Sequence, residues 1–210
     1  FLTNPEGWTP QATSAATKVF AANLSGKMAQ RFFNLVLLPK VRDNIETYKN
    51  LNYHLYLALK RSLFKPAAFF KGVLLPLAEE DCTGREAVII SSILKKVSIP
   101  VVHSGVCLIK LCQLPYTGPT TLLIKTLIQK KYALPRKVLE IVIEYFASFM
   151  EDDREFPVLW HQTLLGLVEK YKSSMTEEQR CRIEELVKKQ SHHMISHEIR
   201  RELRAGRVLE

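Results

Sequence analysis

Four prolines set the rhythm of the second half of this chain. Pro100, Pro119, Pro135 and Pro157 each open an apolar run of helical period: "SIPVVHSGVCLIKL", "TGPTTLLIKTLIQ", "ALPRKVLEIVIEYF" and "EFPVLWHQTLLGLV". Proline suits a first helical turn, because the N–H it lacks would have no intrahelical partner there. The intervals of 19, 16 and 22 residues each hold one helix and a short turn. Strand signals are scarce by comparison, with no alternating run joined by a two-residue turn.

Two such intervals make about 40 residues, the period of HEAT-like helix pairs. The expected fold is therefore all-α, a HEAT-like helical solenoid of about a dozen short helices without strict sequence repeats. Capping boxes mark two further starts, Thr83-x-x-Glu86 and Thr176-x-x-Gln179. Upstream the pattern predicts helices near 12–23, 26–37, 40–49, 52–63 and 66–78, with Pro39 kinking or dividing the second from the third. "SHEIRRELRAG" reads as a last helix stopping at Gly206. The 210 residues read as one domain, with a possible sub-boundary at the acidic loop 151–156. Because Phe1 is not an initiator, the chain is expected to be part of a longer protein.

Charge is distributed unevenly. The chain carries +9 overall, but residues 1–139 hold 19 Lys and Arg against 7 Asp and Glu, whereas residues 140–210 hold 11 against 14. No carboxylate occurs between Glu86 and Glu140, a stretch with eight cations. Such a balance favours an acidic partner: nucleic acid, an anionic membrane or an acidic protein. The longest apolar stretches are broken by Lys71, His103 and Lys110 and fall short of a membrane span. The four cysteines lack C-x-x-C spacing, which fits a reducing compartment.

Catalytic and metal patterns are weak. "AANLSGKMA" has Gly-Lys at 26–27, but Ala21 and Met28 replace residues a phosphate-binding loop requires. His103, Ser104 and Cys107 lie close in sequence without a nucleophile elbow, and they read as helix-packing residues. His193 and His197 share a helix face, yet zinc needs two further ligands. The acidic stretches have neither the spacing nor the glycine of a calcium loop. No enzyme activity, cofactor, metal or small-molecule substrate is expected.

The basic positions remain. Lys60-Arg61, Lys95-Lys96, Lys130-Lys131 and Lys188-Lys189 fall near expected helix C-termini, where a cation offsets the helix dipole by about 0.3–1 kcal/mol. Arg136 and Lys137 do not fit that explanation, since they follow Pro135 in a first turn. The cluster "KKYALPRK" is more easily understood if a polyanion meets it. No RRM, KH or zinc-knuckle signature is present, so contact with backbone and shape fits better than base reading.

Five blocks in order resemble the bystin family: "LVLLPKVRDNIETYKNLNYHLYLALKRSLFKPAAFFKGVLLPL" (35–77), "REAVIISSILKKVSIPVVHS" (85–104), "KKYALP" (130–135), "PVLWHQTLLGLVEKYK" (157–172) and "EIRREL" (198–203). The resemblance implies a non-enzymatic assembly factor of the small (40S) ribosomal subunit. It would bind precursor 18S rRNA in pre-40S particles, with other assembly factors and ribosomal proteins of the head and beak. It would be found in the nucleolus and nucleus and travel to the cytoplasm. It implies neither a membrane nor a small-molecule partner. Among the basic positions of the matching blocks, Lys60, Arg61, Lys65, Lys71, Lys95, Lys96, Lys130 and Lys131 are the expected RNA contacts. Arg136 and Lys137 fall just beyond "KKYALP" and complete the expected RNA-binding set. The rival reading is a protein adaptor for acidic peptides, in adhesion or signalling, without RNA. In "LFKPAAFF", Phe64, Phe69 and Phe70 are expected to pack one helix on the next, and Trp160 and His161 to be core and cap.

Overall fold

A computed structural model describes residues 4–130 and 132–207, with side chains up to 205. Among these the regular secondary structure is helical throughout, with no strand. The chain divides into two compact units, Phe1–Cys107 and Leu108–Glu210.

In the first unit, α1 (Pro10–Asn23) starts at Thr9, whose side chain accepts from the Ala12 N–H. Its buried face is made of small residues, Thr13, Ser14, Thr17 and Ala21. The Thr17 hydroxyl donates to the Thr13 carbonyl at 2.7 Å, so the polar side chain is satisfied within its own helix. That small face lets α4 (Tyr53–Ser62) pack closely along α1.

Between them lie α2 (Gly26–Phe32) and α3 (Leu38–Tyr48), joined without a break by a π turn, Phe33–Leu37. Of the kink or division expected at Pro39, the division is corrected: the helix continues. In an α-helix the proline ring would strike the carbonyl four residues back. Here the Leu38 N–H donates to the Phe33 carbonyl, five residues back, and the wider turn ahead of Pro39 makes room for the ring.

The same device recurs. α5 (Pro66–Phe69) passes through a π turn, Phe70–Leu74, into α6 (Leu75–Glu79), with Leu75 N–H donating to the Phe70 carbonyl just before Pro76. The two stretches read "FFNLVLLP" (32–39) and "FFKGVLLP" (69–76), a local repeat that the overall pattern does not announce. The two π turns pack against each other. A Cβ at Gly72 would lie 2.7 Å from the Gln30 carbonyl oxygen and 3.2 Å from Phe33 Cβ, so only glycine fits the crossing.

α7 (Gly84–Lys96) opens with the expected capping box at Thr83 and Glu86 and packs against α3 and α4. Glu86 is buried and pairs with Arg42 Nε at 3.1 Å, which ties α3 to the start of α7. The division between the units falls within α8 (Val101–Cys112).

The second unit contains α9 (Gly118–Ile128), α10 (Arg136–Ala147), α11 (Val158–Tyr171), α12 (Glu177–Lys189) and α13 (Ile195–Arg207). α11 packs on both α9 and α13, and α10 packs on α12. This alternation of every second helix in two layers fits the expected HEAT-like stacking. Thr176 and Gln179 form the second predicted capping box. The expected stop at Gly206 is corrected, since the α13 backbone runs through Arg207. The loop 151–156 lies within this unit and is held there: Gln190 Nε2 donates to the Asp152 carbonyl at 2.6 Å, and Phe156 stacks on Trp160 with centroids 4.8 Å apart.

Candidate nucleic-acid interface

Helix ends position most of the expected cations. Lys60 and Arg61 occupy the last turn of α4, and Lys95 and Lys96 the last turn of α7. All four are exposed, but they are not equally available. Arg61 Nη1 donates to Ser14 Oγ at 3.0 Å and to the Ser14 carbonyl at 3.3 Å, holding α4 to α1. Lys65 reaches the Ala22 and Leu24 carbonyls, closing the C-terminal end of α1. These two cations therefore have structural work. Lys96 Nζ lies 5.4 Å from the centre of the Tyr56 ring, a cation–π contact. Lys60, Lys71 and Lys95 project into solvent with no hydrogen bond or ion pair among the described residues.

In the second unit the proline-opened turn is where the pattern put it: Arg136 and Lys137 are the first two residues of α10, after Pro135. Arg136 nevertheless finds a partner one turn on, Glu140, at 3.4 Å. That exposed i,i+4 pair offsets part of the charge at the helix start. Lys130 Nζ sits 5.7 Å from the Tyr132 ring centre. The Tyr132 carbonyl accepts from the Tyr171 hydroxyl at 2.9 Å, which anchors the turn to α11. Lys131 lies outside the described residues. Lys137 is exposed and makes no ion pair among them. Within "KKYALPRK", Lys137 is thus the clearest open cation among the described residues.

One contributor was missed in the sequence. Lys18 joins Lys60, Arg61, Ala22, Leu57 and Phe64 around a groove of about 520 Å³ between α1 and α4. Its signal was positional: Lys18 flanks the buried face of α1, four residues after Ser14 and three before Ala21, but only the packing of α1 on α4 brings it beside Lys60. Phe64 was expected to pack between helices. It is instead 75% exposed, because it falls in the turn after α4, while Phe69 and Phe70 bury themselves in the next helix. Trp160 is buried in the core, as expected; His161, expected as a cap, is corrected, since it is buried on α11, whose start has no side-chain cap.

Residues considered for chemistry do not form a reacting set. Ser104 is buried and its hydroxyl has no hydrogen-bond partner, so no base activates it. Burial pushes the Cys112 thiol up to about 12; burial together with the Glu86 charge does the same for Cys82. Neither supplies a thiolate at neutral pH. Among the described residues no group of three or more His, Cys, Asp or Glu side chains is arranged to hold a metal, and no helix is long and apolar enough to cross a membrane.

The family model for Bystin matches residues 1–210. The chain is 52% identical over 204 residues to "Bystin" of Monosiga brevicollis, covering 97% of this chain and 49% of that protein. It is 51% identical over 207 residues to "Bystin" of Bos taurus, covering 98% of this chain and 48% of that protein. For "Bystin" of Homo sapiens the figures are 50% over 207 residues, 98% and 47%. The chain spans about half the length of the curated relatives it matches, and it belongs to the Bystin family.

Proposed function

We propose that this chain is the helical core of a non-enzymatic assembly factor of the small ribosomal subunit. It holds precursor 18S rRNA in pre-40S particles by its phosphate backbone. Other assembly factors and ribosomal proteins of the head and beak occupy further surfaces, and the protein moves from nucleolus and nucleus to cytoplasm with the particle. One observation carries the reading: within the basic stretch 1–139, Lys18, Lys60, Lys71, Lys95 and Lys137 are exposed and have no partner among the described residues. Several cations of the C-terminal part are paired instead: Arg182 with Glu144, Lys172 with Glu202, Arg154 with Asp152 and Lys189 with Asp153. Open lysines are suited to phosphates, which they meet as point charges.

The test is binding to a small-subunit 3′ major-domain rRNA fragment and to an unrelated structured RNA. The variant changes Lys60, Lys71, Lys95 and Lys137 together to Glu. Expected is tighter binding to the rRNA fragment and a loss of at least tenfold in the variant, with its helical circular dichroism retained. A wild type that binds neither RNA overturns the reading.

One observation favours the adaptor reading. The α1–α4 groove is largely apolar and carries Lys18, Lys60 and Arg61 with no carboxylate among its lining residues, which suits an acidic peptide with apolar anchors. Binding of such a peptide in the absence of any RNA affinity would select it.

A further inference from the structure

The connection between α3 and α4 has a chemistry unlike the rest of the surface. It reads Tyr48-Lys49-Asn50-Leu51-Asn52-Tyr53. Lys49 ends α3 in the left-handed conformation, with φ of 55°, a backbone state disfavoured for residues other than glycine. The turn borders a pocket of about 280 Å³ lined by Pro10, Asn44, Tyr48, Asn50, Leu51 and Asn52. None of these six side chains is charged.

The three asparagines are oriented by the backbone. Asn44 Oδ1 accepts from the Asn52 N–H at 2.8 Å, Asn50 Oδ1 from the Leu51 N–H at 2.8 Å, and Asn52 Oδ1 from the His54 N–H at 2.9 Å. A backbone N–H requires the oxygen of a carboxamide, so these bonds fix which end is NH₂. The oxygens are engaged internally, and the NH₂ groups make no hydrogen bond among the described residues. The pocket thus offers side-chain donors in excess of free acceptors. The pocket wall includes the ring of Tyr48, 72% exposed, and Tyr53, 68% exposed, follows Asn52 directly in the chain.

Neutral donors beside an open ring suit a planar group that carries carbonyl oxygens. A phosphate site would be lined with cations, as the α7 and α4 ends are. Unpaired bases are held in this manner, by stacking on an aromatic side chain and hydrogen bonds to the base edge. Building on the RNA-binding reading above, we propose that this pocket holds one unpaired pyrimidine nucleotide. Its base stacks on Tyr48, and its carbonyl oxygens accept from the amides of Asn44, Asn50 and Asn52. Tyr53 is placed for the neighbouring base. Uracil fits best, because O2 and O4 are both acceptors; adenine has no carbonyl and fits worst. The lysines elsewhere supply affinity, and this pocket adds selectivity for an unpaired segment.

The experiment compares three RNAs of equal length: a hairpin with a seven-uridine loop, the same stem with a seven-adenosine loop, and a blunt duplex. Proteins are the wild type, Tyr48→Ala and Asn50→Ala, with thermal melts to check folding. Expected is a preference of about tenfold for the uridine loop over the adenosine loop, lost in both variants, with duplex binding unchanged. The uridine loop carrying 5-iodouridine should photocrosslink within residues 43–49 or 50–60, the two tryptic peptides that bear Tyr48 and Tyr53. The pocket is overturned if both loops bind alike and the variants change nothing, or if crosslinks fall only elsewhere, while retained duplex binding would leave the broader RNA reading standing. If none of the three RNAs binds, both readings fall.

Discussion

His161 shows how a single side chain can tie stability to pH. It is buried on α11, its ring edge-on to Trp160 at 4.9 Å and 5.2 Å from His192, and its Nδ1 has no hydrogen-bond partner. Burial lowers its proton affinity below the ordinary histidine value, and the charge of His192 lowers it further; a backbone hydrogen bond at Phe156 only partly opposes this. The folded state therefore prefers neutral imidazole, and the unfolded chain binds the proton more readily. The associated stability is complete above the unfolded value near 6.5 and is lost as pH falls below it. Thermal melts between pH 7.5 and 5.5 should show the wild type losing stability more steeply than His161→Phe, which keeps an aromatic ring but cannot titrate. Parallel slopes would remove His161 as the cause. At the same scale, Arg61 and Lys65 illustrate why basic residues are not interchangeable. Both looked like RNA contacts in the sequence, yet the hydrogen bonds of Arg61 to Ser14 and of Lys65 to the end of α1 give each a structural function.

At the scale of elements, the two π turns do what a break in the helix would otherwise have done. Each begins at the second residue of a Phe-Phe pair and precedes a proline, and each keeps the helix continuous past a residue that cannot donate. Their mutual packing demands close backbone approach at Gly72. The opposing atom is a backbone carbonyl oxygen, which cannot swing aside as a side-chain tip can. Gly72→Ala should therefore cost about 2–3 kcal/mol by overpacking, although alanine is the better helix former by roughly 1 kcal/mol. Gly84→Ala makes the control, because a Cβ there meets nothing within 4 Å. Urea unfolding of the two variants decides the matter: equal midpoints would show that the crossing relaxes freely.

For the whole molecule, the relevant quantity is how many cations an RNA neutralises. If about four of the open lysines contact phosphates, affinity should fall roughly a hundredfold between 50 and 200 mM salt. Lys95→Glu with Lys96→Glu should reduce the slope of log affinity against log salt by about 1–2. Reversing Arg182, which is paired with Glu144, should leave that slope unchanged. A salt-independent affinity would mean that charge is not what holds the RNA. By itself the sequence determined the helical class, the capping boxes at Thr83 and Thr176 and the proline-opened starts, because these depend on residues within one turn of each other. It also determined the family, through long ordered blocks, and the lopsided charge, which is a matter of counting. Only the tertiary structure decided that the helix passes Pro39 unbroken, that Gly72 faces a neighbouring backbone, and that Lys18 sits beside Lys60. It also decided which cations are spent inside the fold and which remain open. The physical reason is range: caps and periodicity are local, whereas the partner of a lysine, the space beside a glycine and the free face of an asparagine are set by residues distant in the chain.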